Sequence, residues 1–161
     1  MKRFSFDTSA FIEPWRRHYP FDVAESLWKH LDTLGKSEVI TAQQEVYEEI
    51  QNKDDDLARW MKTRKHFFSQ PTEEVQNEVR TILKSHARLL SVTRNRSGAD
   101  PWVIAQAKVI NGAVVTYEVW DPKRKNIKIP EVCHDLGIRC LTFVDFLREC
   151  RIRLTVARLR K

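Results

Sequence analysis

The stretch Ala113-Val114-Val115-Thr116-Tyr117-Glu118 opens with three apolar residues that do not alternate with polar ones. Such a run suits a strand covered on both faces, as strands of parallel sheets are. Upstream, Asp100-Pro101 has the character of a helix start, and Asn111-Gly112 closes the helix after Ile110. A helix therefore delivers the chain into the strand, and the strand leads to an acid. The same arrangement opens the chain: residues 2 to 6 alternate as a short strand and end at Asp7.

Between these two points the spacing predicts mainly helices. Val23, Leu27, Leu31 and Leu34 recur at helical intervals over 21 to 34, with Asp22 as the expected N-cap and Gly35 as the stop. A brief β-prone stretch, 38 to 41, precedes a helix capped by Thr41 that runs through Ile50. Helices follow over 54 to 68 and 72 to 90, the second with Thr72 as cap and Glu73 and Glu74 in its first turn. After a polar turn over 94 to 98, the helix at Asp100 and the strand at Ala113, a lysine-rich loop spans 122 to 129. A short helix from Pro130 to Leu136, a strand from Ile138 to Leu141 and a helix from Thr142 to Cys150 complete the pattern. Strands alternating with helices predict an α/β layer fold with a parallel sheet, and 161 residues suit one domain.

Composition narrows the chemistry. With 42% apolar and 31% charged residues, the chain has the balance of a soluble globular protein. No apolar stretch approaches bilayer length, and residues 1 to 6 are too short for a signal segment before Asp7, so a cytoplasmic protein without membrane attachment is expected. Cys133, Cys140 and Cys150 form no C-x-x-C pair and are expected to be reduced thiols. The five histidines are scattered, which argues against a zinc hydrolase. The four glycines are too far apart for a phosphate-cradling loop. Of the net charge of +6, residues 148 to 161 carry +5, from six basic residues against Glu149. The body, residues 1 to 147, is thus nearly neutral and is read as the domain, with 148 to 161 as a basic tail.

Asp7, Asp100 and Glu118 each stand beside an apolar strand or open an apolar helix. Sites in open parallel sheets form outside the carboxyl ends of the strands, so these acids can converge there. Clustered carboxylates raise one another's pKa, and Mg²⁺ or Mn²⁺, which prefer oxygen ligands, would relieve that cost. Two of the acids also have a structural reading: Asp100 as an N-cap, and Asp7 as the cap of a helix from Thr8 to Glu13. The run Asp54-Asp55-Asp56 is read as helix capping rather than as a metal site.

The order Asp7-Thr8-Ser9, Val46-x-x-Glu49-Ile50, Asp100 before an apolar helix containing Ala105, and Val114-Val115-Thr116-x-Glu118 resembles the PIN-domain nucleases over roughly residues 2 to 147. The resemblance implies a three-layer α/β/α sandwich and a metal-dependent ribonuclease acting on single-stranded RNA, commonly the toxin of a bacterial toxin–antitoxin pair. Asp7, Glu49, Asp100 and Glu118 match the family's four acids and would bind Mg²⁺ or Mn²⁺. An antitoxin protein and a second copy of the chain are the implied partners besides RNA. The family more often has Asp where Glu118 stands, so Asp121 is a rival for the fourth position, and Glu45 and Glu48 are rivals of Glu49. A non-catalytic domain of the same fold that binds RNA or protein is the alternative reading. A phosphatase with Asp7 as nucleophile is a third, although Asp7-Thr8-Ser9 lacks the second Asp of a D-x-D pattern. Trp15, Trp102 and Trp120 could stack on bases or be buried, and Arg94, Arg96, Lys123, Arg124, Lys125 and Lys128 could neutralise phosphates. The tail alternates from Arg151 to Leu154 and then has helical spacing, which would suit nucleic acid or an acidic partner.

Overall fold

The computed structural model describes residues 2–89, 98–123 and 127–156. β1 (Phe4–Phe6) is the middle strand of a five-stranded sheet. It lies between β2 (Ile40–Gln43) and β4 (Ala113–Val115), with β3 (Phe68–Ser69) and β5 (Arg139–Leu141) at the two edges. Every pairing is parallel, with Ser5 opposite Thr41 on one side and Val114 on the other. The chain builds outward from β1 through β2 to β3, then returns to add β4 and β5 on the other side. That reversal leaves a crevice beyond the carboxyl ends of β1 and β4, the place where doubly wound sheets bind ligands.

Among the described residues, eight α-helices connect and cover the strands: α1 (Thr8–Glu13), α2 (Glu25–Lys36), α3 (Gln44–Gln51), α4 (Asp56–Lys62), α5 (Glu73–Ser85), α6 (Asp100–Val109), α7 (Ile129–Asp135) and α8 (Phe143–Glu149). The period-two geometry of β1 separates the layers. Phe4 and Phe6 point to one face and meet Phe146 of α8 edge-on, at ring distances of 5.0 and 4.9 Å, while Phe6 also lies 5.1 Å from Phe11 of α1. Burying each such ring contributes roughly 2–3 kcal/mol. Ser5 points to the other face, where its Oγ donates to Gln106 Oε1 of α6 at 2.8 Å, and α6 packs there against α5 and α7. The polar residue in the central strand is thereby satisfied. The result is helices on both faces of the sheet.

Several boundaries differ from the sequence expectation, for tertiary reasons. α2 begins after Ala24, so Asp22 caps nothing, and Gly35 lies inside the helix instead of ending it. A Cβ at Gly35 would come within 2.4 Å of the Phe67 ring, so glycine is there for close packing. Thr41 belongs to β2, and α3 starts at Gln44. The helix expected over 54 to 68 stops at Lys62, and the remainder forms a 3₁₀ turn and the two-residue edge strand β3. Asp55 caps α4 by accepting from the Ala58 N–H at 2.9 Å, in line with the capping reading of the acidic run. Asp100 sits inside the first turn of α6, with Ala99 in the cap position, so the N-cap expected of Asp100 is not formed. α8 continues through Glu149, and Ile152 beyond it still packs on the core, while residues 152 to 156 are not helical and Leu154 and Val156 are exposed. Arg94, Arg96, Arg124, Lys125 and the end of the tail lie outside the described residues.

The exit from α6 agrees with the sequence reading. Asn111 takes a left-handed φ of 50°, and the Gly112 N–H reaches back to Ala107 O at 2.8 Å, which satisfies a terminal carbonyl of the helix. A Cβ on Gly112 would lie 2.4 Å from the backbone oxygen of Arg3. Backbone cannot swing aside as a side chain can, so Gly112→Ala is expected to destabilise the protein by about 2 kcal/mol in urea denaturation. Gly98→Ala, where an added Cβ meets nothing within 4 Å, is expected to change stability by less than about 0.5 kcal/mol.

Candidate active site

Asp7 leaves β1 with its N–H bonded to Val115 O at 3.0 Å, which ties it to the end of β4. Its side chain is 4% exposed and is held by hydroxyls. Oδ2 accepts from Ser9 Oγ at 2.5 Å, from Thr116 Oγ1 at 3.0 Å and from the Ser9 N–H at 3.3 Å. The last of these makes Asp7 the N-cap of α1, so the carboxylate has a structural role as well as a place in the crevice. The hydroxyls are themselves aligned by the chain leaving β4. The Tyr117 N–H donates to Ser9 Oγ at 2.9 Å, and the Glu118 N–H donates to Thr116 Oγ1 at 3.1 Å. Two backbone donors thus feed two hydroxyls that both donate to one carboxylate oxygen, a connected network of the kind that fixes orientation.

Glu49, on α3, is held by different contacts. Thr8 Oγ1 donates to its Oε2 at 2.5 Å, and the Ala99 N–H, at the entrance to α6, donates to its Oε1 at 3.2 Å. Asp100 is the first residue of α6 and follows directly. Glu118 comes from the segment after β4. Its Oε2 accepts the Ile129 N–H at the start of α7 at 3.1 Å, and its Oε1 pairs with Lys128 at 3.2 Å. Lys128, expected among phosphate-binding residues, therefore has a carboxylate partner within the fold.

All four acids line one open pocket of about 560 Å³. Thr8, Ser9, Ile12, Glu13, Asn52, Lys53 and Gly98 line it too. The rivals do not: Glu45 and Glu48 are absent from its lining, and Asp121 folds into a local turn in which its Oδ1 accepts the Lys123 N–H at 2.9 Å. Sequence reasoning missed Thr116 as a support for Asp7, although Thr116 stands directly after the apolar run of β4, where a side chain can face the crevice. It also missed Glu13 and Lys53, which carry no local motif and reach the pocket only because α1 and α3 are packed side by side. Trp15 and Trp102 are partly buried against the core, and Trp120 lies over His134 at a ring distance of 4.0 Å.

Burial pushes the Asp7 carboxyl above its ordinary range, opposed by the hydrogen bonds from Ser9 and Thr116 and reinforced by the charge of Glu118. The charged form is therefore costly, and a cation in the pocket would offset that cost. The donors are hard carboxylate oxygens, the set that suits Mg²⁺ or Mn²⁺. Among the described residues, no three His, Cys, Asp or Glu side chains stand together closely enough to hold a metal ion as they are arranged. The acids enter from different walls of the pocket, and Glu118 is engaged by Lys128.

Because the folded-state pKa of Asp7 is raised, the folded protein binds more protons than the unfolded chain above the ordinary value of 3.8. Stability is lost as pH rises through the folded pKa and is regained on acidification toward 3.8. In chelator at neutral pH, Asp7→Asn is thus expected to melt at a higher temperature than the wild type. The difference should shrink as the pH is lowered, and thermal melts across the acid range check it.

A family model described as a domain of unknown function, DUF4411, matches residues 4–154. No curated protein matches the chain. Among solved structures, VapBC-1 from nontypeable Haemophilus influenzae is similar at 12% identity and a TM-score of 0.53, over 88% of this chain and 98% of its own. DNA-bound VapBC from Salmonella typhimurium is 16% identical with a TM-score of 0.56, over 89% and 99%. VapBC2 from Rickettsia felis, bound to a DNA fragment from its promoter, is 11% identical with a TM-score of 0.52, over 86% and 97%. At these identities the likeness is one of fold, and that fold is the PIN-like three-layer arrangement built here around β1. By the match over almost its whole length, the chain belongs to the DUF4411 family.

Proposed function

We propose that the protein is a metal-dependent nuclease that hydrolyses phosphodiester bonds of RNA. The observation that carries this reading is the convergence of Asp7, Glu49, Asp100 and Glu118, from four separate segments, on one pocket at the carboxyl end of the parallel sheet. These four residues would hold Mg²⁺ or Mn²⁺. When bound, such an ion supplies charge neutralisation for the phosphodiester and acidifies the attacking water. The chain supplies placement. Ser9 and Thr116 keep Asp7 in one orientation, and Thr8 and the Ala99 N–H keep Glu49 in another. Lys53, which lines the same pocket, would attract a phosphate. No nucleophilic side chain is required, because water is the nucleophile.

The fold shared with three VapBC structures supports a narrower assignment, the toxin component of a toxin–antitoxin pair, inhibited by a protein partner. The Lys128–Glu118 ion pair favours the alternative of a non-catalytic domain that binds RNA or protein, since it occupies one of the four acids. Metal binding separates the two. With Mn²⁺ at about 100 times its dissociation constant, a nuclease centre is expected to gain about 2.7 kcal/mol of stability, a gain that Asp7→Asn or Asp100→Asn removes. In RNA cleavage assays both variants should lose at least about a hundredfold in rate, and Thr116→Val, which deletes one hydroxyl supporting Asp7, about 10–100-fold. If Mn²⁺ leaves the melting temperature unchanged and RNA stays intact, the nuclease reading fails and the binding reading takes its place.

A further inference from the structure

A second cavity, of about 280 Å³, lies beside the acidic pocket and is mainly apolar. It is lined by His18 and Tyr19 from the turn after α1, Thr116, Tyr117 and Val119 from the segment after β4, and Phe143 and Val144 at the start of α8, among others. The His18 and Tyr117 rings are nearly parallel, with 18° between their planes and centroids 6.1 Å apart, and together form an aromatic wall. Val119 and Val144 stand exposed at the mouth. We propose that this cavity is a nucleobase subsite, which takes one unpaired base of the strand whose phosphate lies among the acids. The inference rests on the nuclease reading and adds to it where a base is gripped.

Three observations support a base over other occupants. First, the two cavities are lined by neighbouring residues: Thr116 lines the apolar cavity while donating to Asp7, and Tyr117 lines it one residue before Glu118, which lines the acidic pocket. The Tyr117 N–H is also bonded to Ser9 Oγ, so the aromatic wall and the Asp7 carboxylate are held in one frame. In a nucleic acid strand each base lies one sugar away from a phosphate, which matches adjacent aromatic and acidic cavities. Second, stacking on aromatic faces is how proteins hold unpaired bases without reading their edges. Third, Arg16 and Arg17 lie on the same turn as His18, and both pair with Glu13, a residue of the acidic pocket. Guanidinium groups paired with a residue of the acidic pocket, and adjoining His18 of the apolar cavity in sequence, suit a phosphodiester passing between the two.

The test is steady-state cleavage, in Mn²⁺, of a short single-stranded RNA carrying a cut site mapped on total RNA. The RNA is used intact and with single abasic nucleotides on either side of the cut. One abasic position is expected to raise KM by about tenfold or more with kcat nearly unchanged. His18→Ala, and Val144→Trp, which fills the mouth, should raise KM on the intact RNA to a similar extent. They should add little on the RNA abasic at the sensitive position, which is the signature of a shared contact. Both positions are exposed, and unchanged melting temperatures exclude unfolding as the cause. Cleavage that is indifferent to every abasic position and to both variants overturns the subsite and leaves the nuclease reading standing. Variants that keep KM but lose a protein partner overturn it in favour of protein docking. A wild type that cuts no RNA overturns the nuclease reading, and the subsite with it.

Discussion

The buried carboxylate of Asp7, accepting two hydroxyl hydrogen bonds on one oxygen, is the constraint on which the rest of the site depends. An ionised carboxylate removed from water is costly unless it is hydrogen-bonded or paired, and here the bonding comes from both sides of the crevice. Ser9 supplies it from α1 and Thr116 from the end of β4. Because Asp7 also caps α1 and bonds through its backbone to Val115, the acid cannot be repositioned without disturbing the central strand pair. Its position is a property of the sheet.

Around that fixed point the other acids are attached by different means. Glu49 links α3 to the entrance of α6 through the Ala99 N–H and to α1 through Thr8. Glu118 is tied to the start of α7 by a backbone donor and by Lys128. The pocket therefore gathers negative charge from segments that are far apart in sequence, and it does so beside a sheet whose two faces are sealed by aromatic and aliphatic packing. Burial raises the cost of the charged form of Asp7 and so favours a cation beside it. The apolar cavity next to the pocket is formed by continuations of the two segments that hold Asp7 together with the start of α8, which is why a charged pocket and an aromatic one lie side by side.

Much of the fold is legible along the chain itself. Phe4 to Phe6, Ala113 to Val115 and the helices capped by Thr72 and Thr142 have short periods and local caps, and these signals survive in the fold because tertiary packing agrees with them. The errors fall where packing overrides local preference. Gly35 has the composition of a helix stop and is instead a contact surface for Phe67, and the two residues of β3 are too few to show any period. In the site, Asp7 and Glu118 stand out because each follows a strand. Glu49 needed a family resemblance, since helix α3 bears three glutamates and nothing local distinguishes the one that meets Thr8.

By itself the sequence determined the order of elements apart from β3, the parallel character of the sheet and the acids that end β1 and follow β4, because strand burial, helix capping and chain direction are local or nearly local effects. Only the tertiary structure decided which glutamate of α3 enters the pocket, that Lys128 answers Glu118, and that His18 and Tyr117 form one wall. Each of these depends on residues brought together by the crossovers of a parallel sheet, and such distances are set by packing between segments, which no periodicity along the chain encodes.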